Sequence, residues 1–88
     1  MTFRVTVSET AARQLRKLSQ RHRSRIETGL SVLEEDPFRS RPKADIRAIE
    51  GTEPRKYRLR IGDYRVVYAV VVRDVRIIEV FVRGRGYR

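Results

Sequence analysis

Three arginines beside a short turn are the residues of this chain best suited to chemistry. Arg58 and Arg60 precede a Gly-Asp pair and Arg65 follows it, within the run Tyr-Arg-Leu-Arg-Ile-Gly-Asp-Tyr-Arg-Val-Val-Tyr at residues 57–68. A guanidinium stays protonated at neutral pH and offers a planar fork of N–H donors that matches a phosphate. Three of them on one surface would bind a phosphodiester and stabilise negative charge that develops on it.

Side-chain alternation along a strand predicts that these arginines share one face of a sheet. If the Gly-Asp pair is a two-residue turn, Arg60 lies opposite Arg65, and Leu59 lies opposite Val66 on the other, apolar face. The agreement between the two strands supports this register. Directly opposed like charges destabilise a sheet by about 0.2–1 kcal/mol. The pattern therefore indicates a binding partner of opposite charge.

Composition is consistent with such a partner. The chain has 88 residues, a formal net charge of +10 and a pI near 11.2, and we expect one domain over residues 1–88. Of its 21 basic residues, all but Lys17, Lys43 and Lys56 are arginine. The arginine excess favours nucleic acid, although a GC-rich genome or a heat-adapted source also explains it. The absence of cysteine excludes disulfides and thiolate metal sites.

The hydrophobic pattern predicts an α+β fold: a strand and two helices, then a mainly antiparallel sheet of three to four strands. Residues 3–7 form the first strand, and Ser8 caps a helix whose outer side carries Arg13, Arg16 and Lys17. A second helix ends before Pro37, and the two form a hairpin over one face of the sheet. Strands follow at 64–72, apolar on both sides and therefore central, and at 75–82.

Two regions of the predicted sheet stay open. Residues 44–49 are read as either a short strand or a turn. The link at Arg73-Asp74 is a poor tight turn, which leaves the register of the last strand ambiguous by one residue. That ambiguity decides which way Phe81, Arg83 and Arg85 point.

The common catalytic sets are missing from the sequence. The single histidine, His22, falls near the helical hairpin, where we interpret it as a surface or satisfied residue. The run Glu34-Glu35-Asp36 is interpreted as a solvated helix end rather than a cation site. No apolar run has the length of a signal peptide or a membrane span, so we expect a cytoplasmic protein without membrane contact. We predict no metal and no cofactor.

The order of elements, the 57–68 block and the closing Val-Arg-Gly-Arg-Gly-Tyr-Arg at 82–88 resemble the RelE/ParE toxin superfamily, specifically its compact RelE-like branch. This resemblance covers nearly the whole chain. It implies the toxin of a type II toxin–antitoxin system, a metal-independent endoribonuclease that cleaves mRNA in the ribosomal A site. It also implies a cognate, RelB-like antitoxin that silences the toxin, and operator DNA bound only through the antitoxin complex.

The resemblance also assigns site residues by motif. The implied catalytic set is Arg58, Arg60, Arg65, Arg85 and Tyr87. Nearby and helical basic residues are predicted to contact RNA or the ribosome, namely Arg55, Lys56, Arg83, Arg13, Arg16 and Lys17. Because an arginine is a poor base, we expect charge stabilisation of the phosphorane to dominate, with Tyr87 or a ribosomal group assisting proton transfer.

Two alternatives to the nuclease stay open. A ParE-like protein of the same fold would inhibit DNA gyrase, and an inactive basic module would only bind RNA or an acidic protein. The sequence also predicts that an acidic, amphipathic antitoxin segment packs either on an apolar strip of the central strand or over the helices. Val67, Ala69 and Val71 lie on the arginine side of the central strand, where we expect them to be exposed.

Overall fold

A five-stranded sheet with helices packed on one face forms the fold, so the predicted α+β class is confirmed. The computed structural model describes residues 2–82. Its elements are β1 (Arg4–Val7), α1 (Glu9–Arg16), α2 (Gln20–Leu30), α3 (Val32–Glu35), β2 (Asp45–Ile49), β3 (Lys56–Ile61), β4 (Tyr64–Val71) and β5 (Asp74–Val82). The strand order is β1-β5-β4-β3-β2, in which β1 runs parallel to β5 and the other neighbours are antiparallel. The doubly apolar β4 lies at the centre, as predicted.

Serine side chains start the two longer helices. The Ser8 hydroxyl accepts a hydrogen bond from the Ala11 N–H at 3.0 Å and donates one to the Ile78 carbonyl at 2.9 Å, so it also joins α1 to β5. Ser19 caps α2. The second helix is divided, because α2 ends at Leu30 and the Ser31 hydroxyl bonds the Thr28 carbonyl at 2.7 Å before α3 begins. No helix in the described range is long and apolar enough to cross a membrane.

The core fills the space between the helices and one face of the sheet. Its buried members include Ala11, Leu15, Ile26, Leu30, Leu33, Ile46, Leu59, Val66, Tyr68, Val75, Ile77 and Val80. A glycine sets how closely α2 approaches β3, because a Cβ on Gly29 would stand 2.7 Å from the Ile61 Cδ1. The helix layer therefore covers the face that carries Leu59 and Val66, and it leaves the arginine face open.

The segment after α3 is anchored to this core by polar contacts. The Asp36 carboxylate accepts hydrogen bonds from the N–H groups of Phe38 and Arg39, and these bonds lower the pKa of Asp36. The Tyr68 hydroxyl donates to the Pro37 carbonyl at 2.6 Å, and burial raises the pKa of Tyr68 above its usual range. The Arg41 guanidinium donates to three backbone carbonyls around the end of α3. The entry to β2 is thereby fixed.

The structure confirms one of the two predicted hairpin turns and corrects the other. Gly62 adopts φ +59°, the left-handed region that favours glycine, so the predicted Gly-Asp turn is confirmed. The second turn is Val72-Arg73 rather than Arg73-Asp74. Asp74 already belongs to β5, where it is the cross-strand partner of Val71 and its carboxylate pairs with the Arg4 Nε at 3.2 Å. Val72 consequently takes φ +58° and is 88% exposed.

A bulge settles the register of the last strand. Glu79 lies opposite Val67 while Ile77 lies opposite Tyr68, so one extra residue of β5 has no partner on β4. Ile77 and Val80, three positions apart, are both buried in the core. The bulge thus turns Glu79 and Phe81 toward the arginine face, where Phe81 is opposite Arg65.

Candidate functional site

The three arginines of the hairpin lie on the open face of the sheet in the predicted register. Arg60 is the direct partner of Arg65, and Leu59 is the partner of Val66 on the core side. Leu59 and Val66 are almost completely buried, whereas Arg60 is exposed and Arg58 and Arg65 are half-buried. The rigid, buried side of the hairpin therefore determines where the arginine side emerges.

The neighbouring edge strand completes a cavity around these arginines. β2 pairs with β3 so that Asp45 lies opposite Arg60 and Arg47 lies opposite Arg58. The cavity measures about 220 Å³, and its lining residues are Asp45, Arg47, Arg58, Arg60 and Arg65. It is smaller than the roughly 300–1,000 Å³ of drug-sized ligand sites, and its chemistry suits a compact anion such as one phosphodiester.

The cavity carries a strong excess of positive charge. The ion pairs that the structure shows within residues 2–82 involve Asp36 and Asp74, and they lie outside the cavity. Two like-charge pairs, Arg47 with Arg58 and Arg60 with Arg65, are direct cross-strand neighbours. Such an arrangement costs stability in the free protein, so it favours an anionic ligand that removes the repulsion.

The prediction of an exposed apolar strip is wrong. Val67 and Ala69 are only 6% and 7% exposed, and of the three residues only Val71, at 41%, is open to solvent. The cross-strand neighbours explain this difference. Val67 lies between Arg58 and Glu79, and Ala69 lies between Lys56 and Arg76. The long side chains of these neighbours cover the two short ones. This surface is therefore charged where the sequence predicted an apolar docking strip.

The predicted RNA-contacting residues divide between two surfaces. Lys56 begins β3 and lies on the same face as Arg58 and Arg60, and Arg55 precedes it as an exposed residue. The helix layer, on the opposite side of the sheet, exposes Arg13 and Arg16 of α1 and Lys17 at the C-terminal cap of that helix. The structure therefore brings Lys56 to the cavity face and places the α1 residues away from it. Arg83, Arg85 and Tyr87 lie outside the described residues.

Two residues of the cavity, Asp45 and Arg47, were missed by the sequence reasoning. The available signal was the alternation of apolar Ala44 and Ile46 with charged Asp45 and Arg47, which is typical of a strand with one buried face. The strand is only five residues long and lies between prolines and a glycine, which obscured that signal.

Other sites contribute less to the chemistry. No group of three or more histidine, aspartate or glutamate side chains in the described range is arranged to hold a metal ion. His22 is exposed in the first turn of α2, and its ring centroid lies 5.8 Å from that of Tyr64. A second cavity of about 480 Å³ includes Arg41, whose guanidinium is already committed to backbone carbonyls. The arginine cavity therefore remains the candidate site.

Comparison with known proteins gives solved structures that match this chain over nearly its full length. This chain is 35% identical to a chain of the archaeal RelE–RelB complex from Pyrococcus horikoshii OT3, with a TM-score of 0.80, covering 98% of this chain and 100% of the other. The intact RelBE toxin–antitoxin complex of E. coli matches at 26% identity and a TM-score of 0.64, over 94% and 99% of the two chains. The RelBE2 complex of Mycobacterium tuberculosis, at 24% identity and a TM-score of 0.72, shares the fold over 94% of this chain and 100% of the other.

A family profile matches almost the full length. It is described as the ParE toxin of type II toxin–antitoxin system, parDE, and it covers residues 5–87. No curated protein sequence gives a significant match. The profile and the solved RelE structures agree on the superfamily, although they name different branches of it. The chain therefore belongs to the RelE/ParE superfamily of toxins from type II toxin–antitoxin systems.

Proposed function

We propose that this toxin is a metal-independent endoribonuclease that cleaves mRNA in the A site of the ribosome and so inhibits translation. The observation that carries the proposal is the arginine cavity, in which four guanidinium groups converge on the open face of the sheet. Such a surface stabilises the negative charge that develops on a phosphodiester during cleavage.

Cleavage follows from the chemistry of RNA. The ribose 2′-hydroxyl attacks the adjacent phosphorus, the phosphorane gains negative charge, and the bond to the 5′-oxygen of the next nucleotide breaks to leave a 2′,3′-cyclic phosphate. Arg58, Arg60 and Arg65 would donate hydrogen bonds to the phosphorane oxygens. By analogy with oxyanion-hole deletions, loss of one such donor slows the reaction on the order of 100-fold.

The ribosome supplies what the small cavity lacks. A site of about 220 Å³ grips one phosphate but too little of the RNA to fix the angle between the 2′-oxygen and the phosphorus. In-line alignment contributes a large part of the rate of such reactions. Binding in the A site would hold the mRNA in that geometry, so free RNA should be cut poorly. The basic residues of α1, on the opposite layer, offer a second surface for ribosomal RNA.

The natural inhibitor would be a cognate antitoxin. The archaeal and E. coli relatives are RelE proteins in complex with RelB antitoxins. Because the open face of this chain is charged rather than apolar, an acidic antitoxin segment is the occupant that fits it. Neutralisation of the arginines by that segment would block phosphate access, and operator DNA would be reached through the antitoxin complex.

A ParE-like activity is the second candidate, because the matching family profile is that of a ParE toxin. Primer-extension mapping of mRNA in a translation extract separates the two functions. The nuclease predicts cuts within codons that require ribosomes. Absence of such cuts, together with accumulation of gyrase-cleaved DNA, would show that the chain is a gyrase inhibitor and not a nuclease.

A further inference from the structure

One carboxylate stands among the four arginines of the cavity. Asp45 is exposed at the edge strand, and it lines the cavity beside Arg47, Arg58, Arg60 and Arg65. A carboxylate repels the phosphate that the arginines attract, so its presence weakens simple anion binding. Its presence is explained if it neutralises an arginine or takes part in the reaction.

A close ion pair among the described residues does not account for it. Asp45 is the direct cross-strand partner of Arg60, yet within residues 2–82 no cationic nitrogen lies within 4.0 Å of its carboxylate. Elsewhere on the same face, Asp74 does form such pairs, at 3.2 Å with Arg4 and at 4.0 Å with Arg76. The Asp45 carboxylate is therefore left available to a ligand.

The backbone on both sides of Asp45 is held in place. The Ser40 hydroxyl donates to the Ala44 carbonyl at 3.3 Å and accepts from the Ile46 N–H at 3.1 Å. The side chains of Ala44 and Ile46 are 1% and 5% exposed. Because side chains alternate along a strand, these two anchors fix the intervening Asp45 toward the open face.

We propose that Asp45 is the general base that removes the proton of the 2′-hydroxyl, and that Ser40 is the positioning residue that holds it. The inference deepens the proposed nuclease function and rests on it. Asp45, Arg60 and Arg65 form one row across three strands, about 10 Å from end to end at the usual strand spacing of about 4.8 Å. A phosphate bound by Arg60 and Arg65 has the Asp45 carboxylate beside it at the β2 end of this row, so the proposal places the attacking ribose 2′-hydroxyl at that end.

The proton balance of this step is complete. An Asp45 carboxylate oxygen accepts the 2′-hydroxyl proton as the 2′-oxygen forms its bond to phosphorus. The 5′-oxygen leaves with the electron pair of the broken P–O bond and takes a proton from water. Asp45 then returns its proton to solvent. An arginine, which stays protonated, is unable to perform the first step.

Single-turnover cleavage of mRNA on programmed ribosomes tests this role with a matched pair of variants. Asp45→Asn and Asp63→Asn each remove one negative charge from an exposed aspartate, but Asp63 lies in the turn after β3, outside the cavity. General-base catalysis contributes about 10²–10⁴ in rate, so Asp45→Asn should be at least about 100-fold slower while RNA binding is retained or tightened. Asp63→Asn should cleave like the wild type.

A base role is separated from a structural one by rescue and by a double variant. Added formate should partly restore cleavage by Asp45→Ala and leave Asp63→Asn unchanged. Ser40→Ala should slow the wild type but have no further effect on Asp45→Asn. Equal cleavage by Asp45→Asn and wild type, or failure of formate to restore any activity to folded Asp45→Ala, would overturn the inference. If the wild type itself makes no ribosome-dependent cuts, the proposed nuclease function falls and the assignment of a base falls with it.

Discussion

Replacement of Arg47 by glutamine should stabilise the fold and weaken RNA binding at the same time. Arg47 is exposed on β2 and lies directly opposite Arg58, so its removal relieves one like-charge pair without opening a cavity in the core. Opposed like charges cost about 0.2–1 kcal/mol in a sheet. For 88 residues with an unfolding entropy of about 2.1 cal/mol/K per residue, this gain corresponds to a rise in Tm of roughly 1–5 °C.

Thermal unfolding at low and high salt measures that gain. Lys43→Gln is the control, because it removes the same charge from an exposed loop position outside the strands. The stabilisation by Arg47→Gln should exceed that of the control at low salt and shrink toward it at high salt, since exposed charges are screened. In the same preparation, RNA binding should weaken, and its dependence on salt should fall by roughly one phosphate contact.

A lower Tm for Arg47→Gln, or a change no larger than that of Lys43→Gln, would show that the arginines of the cavity do not repel one another. Unchanged RNA binding would separately show that Arg47 does not face the ligand.

Three further predictions concern the frame of the site. Tyr68→Phe should lower the free energy of unfolding by about 1–3 kcal/mol in urea titration, because the buried Pro37 carbonyl loses its donor, while the folded variant should cleave RNA normally. Gly29→Ala should destabilise by up to about 2 kcal/mol, since overpacking against Ile61 outweighs a helix-propensity gain of about 1 kcal/mol, and addition of Ile61→Val should restore stability. Hydrogen bonds lower the pKa of Asp36 in the folded state, so its ionised carboxylate stabilises the fold at neutral pH. This stabilisation is lost as the pH falls below about 4. The difference in the free energy of unfolding between the wild type and Asp36→Asn should therefore close over that range.

The hairpin was predictable because independent signals agreed. Two strands with matching alternation and a glycine at the turn specify one register, and a slip of one residue would bury arginines and expose Leu59 and Val66. The caps at Ser8 and Ser19 follow from local hydrogen bonding in the same way.

Other parts of the site depend on tertiary packing that the sequence does not display. The bulge in β5 arises because Ile77 and Val80 both pack into the core, which no alternating pattern specifies. Val67 is buried by longer neighbours on adjacent strands rather than by its own position. β2 depends on its pairing with β3 and on the anchored segment before it, so Asp45 reaches the cavity through contacts remote in sequence.

The most direct test of catalysis by the arginine cavity compares Arg65→Ala with the wild type in the single-turnover rate of ribosome-bound mRNA cleavage. Arg65 lines the cavity and opposes Arg60, so loss of its guanidinium removes one donor to the phosphorane. The nuclease account predicts a rate on the order of 100-fold lower for a variant that stays folded and still binds the ribosome. Equal rates for folded Arg65→Ala and wild type would contradict catalysis by the arginine cavity.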